Sequence, residues 1–260
     1  MAVDKLVDSA QLNADLASVA NAIRTKGGTS VQLAFPAGFV SAVQAIPTGG
    51  GGYSVDDIVS RNFSGPLHLT AKSPVVTPIT GLFARTEITE LLAEGCADYR
   101  DSAFAYCTKL TKAFLTDATG SSTLFQNCTA LQVIVALKNA SVWSGYAQGC
   151  TSLSAVDFGG TQRSGGSGLR STNAFSGCTA LKTVVLRYTG NYPLANINNF
   201  TNTPFASGKS GGTLYVPQDL IPSYQSATNW STILGYANNQ ILPIEGSIYE
   251  TQYADGTPIS

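Results

Sequence analysis

Between residues 103 and 187 the apolar positions recur in short one-sided bursts. Each burst is a pair of mainly apolar residues two apart: Ala113/Leu115, Ile134/Ala136, Val156/Phe158 and Val184/Leu186. Side chains two apart project from the same face of an extended chain, so each pair predicts a short strand with one buried side. Six residues ahead of each pair stands a cysteine in a repeated phrase: Cys107-Thr108-Lys109-Leu110, Cys128-Thr129-Ala130-Leu131, Cys150-Thr151-Ser152-Leu153 and Cys178-Thr179-Ala180-Leu181. Phe104, Phe125 and Phe175 come three residues before their cysteines, and Tyr146 four before Cys150. The cysteines are 21, 22 and 28 residues apart, the last gap being lengthened by the Gly/Ser insert Gly159–Gly168. A unit of about 20 residues cannot bury an apolar face alone, whereas stacked units share one core. Fainter copies flank the four: one over Phe83–Leu91, a residue short and without the cysteine, and a closing one at Pro204-Phe205 with Thr213–Pro217.

The first 48 residues follow another period. Ser9 can cap a helix whose apolar residues Leu12, Leu16, Val19 and Ile23 step by four, three and four, and Gly27-Gly28 ends it. After Phe35, a second short helix starts at Pro36, carries Phe39, Val43 and Ile46, and stops at Pro47. So few large apolar residues make a poor independent core, which points to stabilisation by a partner or by self-association. The predicted organisation is α+β: a helical segment over 1–48, a Gly-rich linker over 49–54, a repeat solenoid with terminal caps over 55–245, and a weakly patterned tail over 246–260, read as an arm or second attachment point.

The repeated phrase resembles the BspA-like leucine-rich repeats, whose unit reads roughly A-F-x-x-C-T-x-L followed by two apolar strand positions. Ala103–Leu110 and Ala174–Leu181 are close copies. That resemblance implies a leucine-rich-repeat β-solenoid with Cys107, Leu110, Cys128, Leu131, Cys150, Leu153, Cys178 and Leu181 as its repeating core. It also implies an ending in which a Tyr-Val-Pro strand is followed by one short helix, matched by Tyr224, Ala227, Asn229 and Trp230. The leader, Leu6–Arg24 with Phe35–Pro47, is similar to a leader of bacteriophage and prophage virion proteins, where two such helices precede a Gly-rich joint and a variable outer domain. The second resemblance implies a virion structural protein of a tail or surface appendage, anchored through Leu12, Leu16, Val19, Ile23, Phe35 and Phe39 to other virion proteins. Its implied form is a homo-oligomer whose repeat domain binds a host-surface glycan or protein. A bacterial cell-surface adhesin and a capsid decoration protein without a receptor are the alternative readings.

Composition narrows the chemistry. Charged residues make up 12% of the chain and the net charge is −1, which argues against duplex nucleic acid, whose binders present basic patches. No apolar run approaches the roughly 18–20 residues of a membrane helix, and the N-terminus lacks the apolar core of a secretory signal, so synthesis in a cytoplasm is expected; the leader resemblance implies location in a virion, with an extracellular or cell-surface place as the alternative. The five cysteines contain no C-x-x-C pair, and four occupy one repeat slot; they read as buried structural thiols. No catalytic residue, metal site or cofactor is expected: His68 is the only histidine, and Glu87, Glu90, Glu94, Asp98 and Asp101 read as a solvated acidic face. Trp143, Tyr188, Tyr192 and Tyr236, set among Asn and Ser, are the candidate ligand contacts, since amphipathic rings among short polar side chains build adaptable surfaces. Tyr224 and Trp230 read as core or cap.

Overall fold

The structure is a computed structural model. It describes residues 65–70, 87–95, 99, 101–116, 122–137, 142, 144–160, 172–188, 197–209, 211–236 and 239–259. The chain divides into two units, Met1–Gly52 and Tyr53–Ser260, and all described residues belong to the second. The helical segment with Leu12, Leu16, Val19, Ile23, Phe35 and Phe39, the linker 49–54, and Cys96, Trp143 and Tyr192 lie outside the described residues.

Eight strands form one open parallel sheet in chain order: β1 (Gly65–Thr70), β2 (Ile88–Glu94), β3 (Lys112–Leu115), β4 (Val133–Ala136), β5 (Ala155–Gly160), β6 (Thr183–Tyr188), β7 (Thr213–Val216) and β8 (Gln240–Pro243). Each connection carries the chain back to start the next strand in the same direction, a solenoid-like α+β arrangement. The register follows the sequence repeat. Leu91 pairs with Ala113, then Ile134, Val156, Val184, Leu214 and Ile241 follow in one row. The inward residues Ala113, Leu115, Ile134, Ala136, Val156, Phe158, Val184 and Leu186 are fully buried, as are the four repeat cysteines and Leu110, Leu131, Leu153 and Leu181. The fainter unit is in register too, with Ile88 buried where the later units place leucine.

The turns explain why cysteine recurs. Its residue is buried, and its thiol donates to a carbonyl of the preceding turn: Cys128 Sγ to Phe104 O at 3.0 Å, Cys150 Sγ to Phe125 O at 3.0 Å, and Cys178 Sγ to Ala147 O at 3.1 Å. A small apolar group with one weak donor fits that place. Two positions in every turn are left-handed, five residues and one residue before the cysteine: Ser102, Thr123, Gly145 and Asn173, then Tyr106, Asn127, Gly149 and Gly177. At Gly149 (φ +77°) a Cβ would also run into the Asn127 side chain of the turn before it.

Stacked rings run the length of the core. Phe104 stacks on Phe125 at 5.7 Å, and Phe158 on Phe175 at 6.1 Å. The third unit departs from the pattern by moving its ring one place, leaving Ala147 where the others have Phe. Phe158, on the strand of that unit, takes up the volume, and Tyr146 meets Phe125 and Phe158 edge-on. Large and small have traded places at nearly constant volume, the exchange that cores tolerate best. The row closes on Phe200, Trp230 and Tyr224. Here the single closing helix is corrected to two, α1 (Ile221–Ser226) and α2 (Trp230–Gly235). Asn229 (φ +72°) is left-handed and breaks the helical path between them. No helix of the described residues is long and apolar enough to cross a membrane.

Candidate ligand cleft beside the C-terminal tail

Alternation that buries one set of strand residues turns the other set outward. The outward row is Leu92, Phe114, Val135, Asp157, Val185, Tyr215 and Leu242. Val135, Asp157 and Val185 are nevertheless fully buried, because the chain after β8 folds back across this face. The expectation that the tail is an arm or second attachment point is thereby corrected for residues 246–259: an apolar row with a carboxylate in its middle needs a cover, and the tail supplies it.

Asp157 and Arg187 fix the tail. The Arg187 guanidinium donates from Nε to Asp157 Oδ1 at 2.7 Å and from Nη2 to Oδ2 at 2.9 Å. Nη1 and the second N–H of Nη2 donate to the tail carbonyls of Tyr249, at 2.7 Å, and Gln252, at 2.9 Å. The Ala254 N–H donates to Asp157 Oδ2 at 2.9 Å, and the guanidinium carbon lies 5.2 Å from the centre of the Tyr253 ring. Burial raises the Asp157 carboxyl above its ordinary value, against the pull of Arg187 and the Ala254 N–H. A covered ion pair is tolerable only when its lone pairs and protons are met in this way.

Beyond the clamp the tail turns back on itself. Tyr253 N–H donates to Thr257 O at 2.8 Å, Gly256 (φ +85°) makes the bend, and Gln252 bridges Pro258. The turn presses Tyr253 edge-on against Phe114, with ring centres 5.6 Å apart. Asp255 reaches Lys112 Nζ at 2.7 Å and accepts from the Thr257 N–H and hydroxyl. Burial alone would raise the Asp255 carboxyl, but Lys112 and the two Thr257 donors outweigh it and hold it below the ordinary value. Its side chain is shielded by these immediate neighbours while lying close to the surface.

Beside the tail turn, the outward face of β1–β3 carries a cleft of about 560 Å³. Phe114, Tyr253, Leu92 and Pro258 give it apolar walls; His68, Glu90, Glu94, Lys112, Thr116 and Thr257 stand among them. His68 Nε2 lies 2.6 Å from Glu94 Oε2, and Thr116 Oγ1 accepts the Gly95 N–H at 2.9 Å. Glu90 and Glu94 are exposed, with Cα atoms about 13 Å apart along one strand at about 3.3 Å per residue. Asp101 is exposed on a turn and accepts the Ser122 N–H at 2.7 Å, Glu87 is half-buried, and Asp98 lies outside the described residues. Among the described residues no three His, Cys, Asp or Glu side chains gather as metal ligands.

Of the aromatic group expected from the sequence, Tyr188 and Tyr236 lie among the described residues. Tyr188 is 2% exposed, with burial raising its phenol, so it is a core residue and no ligand contact. Strand β6 runs on to it, and the alternation Val184, Leu186, Tyr188 turns it inward. Tyr236 is half-buried and lines a smaller hollow of about 260 Å³ with Asn198, Asn202 and Lys209. Tyr224 and Trp230 are core, as read. Sequence reasoning missed Phe114 and Tyr253. The signals were present: an outward-facing apolar row, and Asp255-Gly256, a dipeptide that favours tight turns. Comparison with known proteins finds no match among family models, curated proteins or solved structures.

Proposed function

We propose that the chain is a structural protein of a bacteriophage particle, part of a tail or surface appendage, whose repeat unit binds the host surface. One strand per turn and the recurrent Phe-x-x-Cys-Thr phrase support its assignment to the BspA-like leucine-rich repeats. Likeness of the leader to virion proteins supports a division of labour. Residues 1–48 join other virion proteins, as a homo-oligomer in which Leu12, Leu16, Val19 and Ile23 face a neighbour, and the repeat unit engages the host. The observation that carries recognition is the cleft on β1–β3. It is concave, mainly apolar and edged by a few polar groups, the character of small-ligand sites of about 300–1,000 Å³. It sits on a hydrogen-bonded sheet, so little ordering is needed on binding.

The test uses whole particles. Mass spectrometry of purified virions should find the chain, and cryo-EM should locate it on the tail or another appendage. Leu16→Asp with Val19→Asp should remove it from particles without changing how the repeats melt. Particles carrying Phe114→Ala should retain the chain and adsorb poorly to host cells. Virions without the chain, or unchanged adsorption by the Phe114 variant, would overturn the reading.

A further inference from the structure

The cleft also has a chemistry that selects its occupant. Its walls are two half-buried rings, Phe114 and Tyr253, held edge-on, with Leu92 and Pro258 beside them. Its polar groups come in pairs: Lys112 with Asp255 at 2.7 Å as an ion pair, and His68 with Glu94 at 2.6 Å as a hydrogen bond. Glu90 stands outside those pairs, exposed at the mouth as Glu94 also is. An anionic ligand would meet three carboxylates and a lysine already engaged. A purely apolar one would strip water from the Lys112–Asp255 ion pair and the His68–Glu94 hydrogen bond without replacing its hydrogen bonds, which is costly. A neutral polyhydroxylated ring suits both features. Its C–H faces lie against aromatic carbon, while each hydroxyl can donate to Glu90 or Glu94 and accept from Lys112 or a threonine hydroxyl. The volume, about 560 Å³, has room for more than a single ring.

We propose that the cleft is a saccharide site for a neutral hexose unit within a glycan, with Phe114 and Tyr253 as its apolar walls and Glu90 as a hydroxyl acceptor. This rests on the recognition role proposed above and names the class of ligand. Tyr253 belongs to the tail, so the site is assembled only when the Asp157–Arg187 clamp has seated residues 249–255.

The experiment is saturation-transfer NMR of the full chain with glucose, galactose, N-acetylglucosamine and rhamnose, with choline and inorganic phosphate as charged comparisons. Transfer from the aromatic protons to at least one neutral sugar is expected, with little to choline or phosphate. Phe114→Ala should weaken binding by about tenfold, in line with loss of one aromatic wall. Glu90→Ala, at an exposed position that cannot disturb the core, should weaken it several-fold. Tyr236→Ala, in the separate hollow, should leave it unchanged. The proposal falls if no neutral sugar shows transfer, if choline or phosphate binds better, or if binding survives both Phe114→Ala and Glu90→Ala. Adsorption separates this from the wider reading. Loss of host adsorption by Phe114→Ala without any sugar binding sinks the saccharide and leaves host recognition standing. Sugar binding by a chain that is absent from virions does the reverse.

Discussion

Replacing Asp157 by alanine tests the logic of the outward face. The carboxylate receives two bonds from Arg187 and one from the Ala254 N–H, and its side chain is fully covered. Removing it leaves a guanidinium 15% exposed with no counter-charge. Breaking one side of such a pair costs about 3–5 kcal/mol where the partner stays buried. The protein has a way out, because the tail can lift and let water reach Arg187. The loss should therefore appear as local opening of residues 249–259. At 1.4 kcal/mol per tenfold, the open fraction rises between about a hundredfold and a few thousandfold. Native-state hydrogen exchange reads this at Ala254, whose amide loses its acceptor, and more cleanly at Tyr253, whose amide bonds Thr257 O within the tail at 2.8 Å. Amides of β4 and β6 should keep their protection. Less than a tenfold rise at Tyr253, or an equal rise at Tyr253 and in the central strands, would refute the claim that the tail is a separately docked element. Replacing both partners, Asp157→Val with Arg187→Met, should leave the sheet at least as stable as either single change does, since a buried pair can often be exchanged for apolar side chains.

Other expectations concern the repeats and the tail end. Leu131→Ala or Leu153→Ala should each destabilise by about 2–5 kcal/mol in urea unfolding, because both side chains are fully buried in a stacked core. Tyr106→Asn should stabilise by about 1 kcal/mol, as an exposed tyrosine held at φ +60° gives way to a residue that accepts the left-handed region. Burial pushes the Cys178 thiol up to about 12, so iodoacetamide at pH 8 should leave it unmodified in the native protein and label it in urea. Asp255 is held below its ordinary 3.8; its contribution to docking is complete above that pH and is lost as pH falls through the lowered value. The amide shift of Thr257, which donates to Asp255, should move in that acid window and stay constant at neutral pH.

Legibility in the sequence followed the range of the interactions. Strand positions such as Ile134 and Ala136 could be read because period two and the 21–28-residue repeat are local signals that reinforce one another over four copies. Cysteines 128, 150 and 178 could be assigned to the core from their shared slot, although their bonds to Phe104, Phe125 and Ala147 needed the structure. Tyr188 was misread by its place at the edge of a repeat, when the alternation of its own strand already turned it inward. The cleft was not legible. Its walls come from Phe114 and Tyr253, and its geometry depends on a clamp between Asp157 and Ala254, 97 residues apart. No period connects such residues, and the tail residues that matter are too few to form a pattern.

The tail also acts as a ruler. In a stack whose units meet only their neighbours, one unit more or fewer changes little elsewhere. Here the chain leaves β8 and must put Tyr249 against Tyr215 on β7, Ala254 on β5 and Asp255 on β3. One added strand between β3 and β7 would separate these anchors by about 4.8 Å. At about 3.3–3.6 Å per residue of extended chain, the tail would need about one or two more residues to span the gap. Loss of a strand would leave the same surplus as slack. The stack by itself sets no length; a segment lying crosswise to it does, and lineages that gain or lose a repeat should show a matched change in the residues after Pro243.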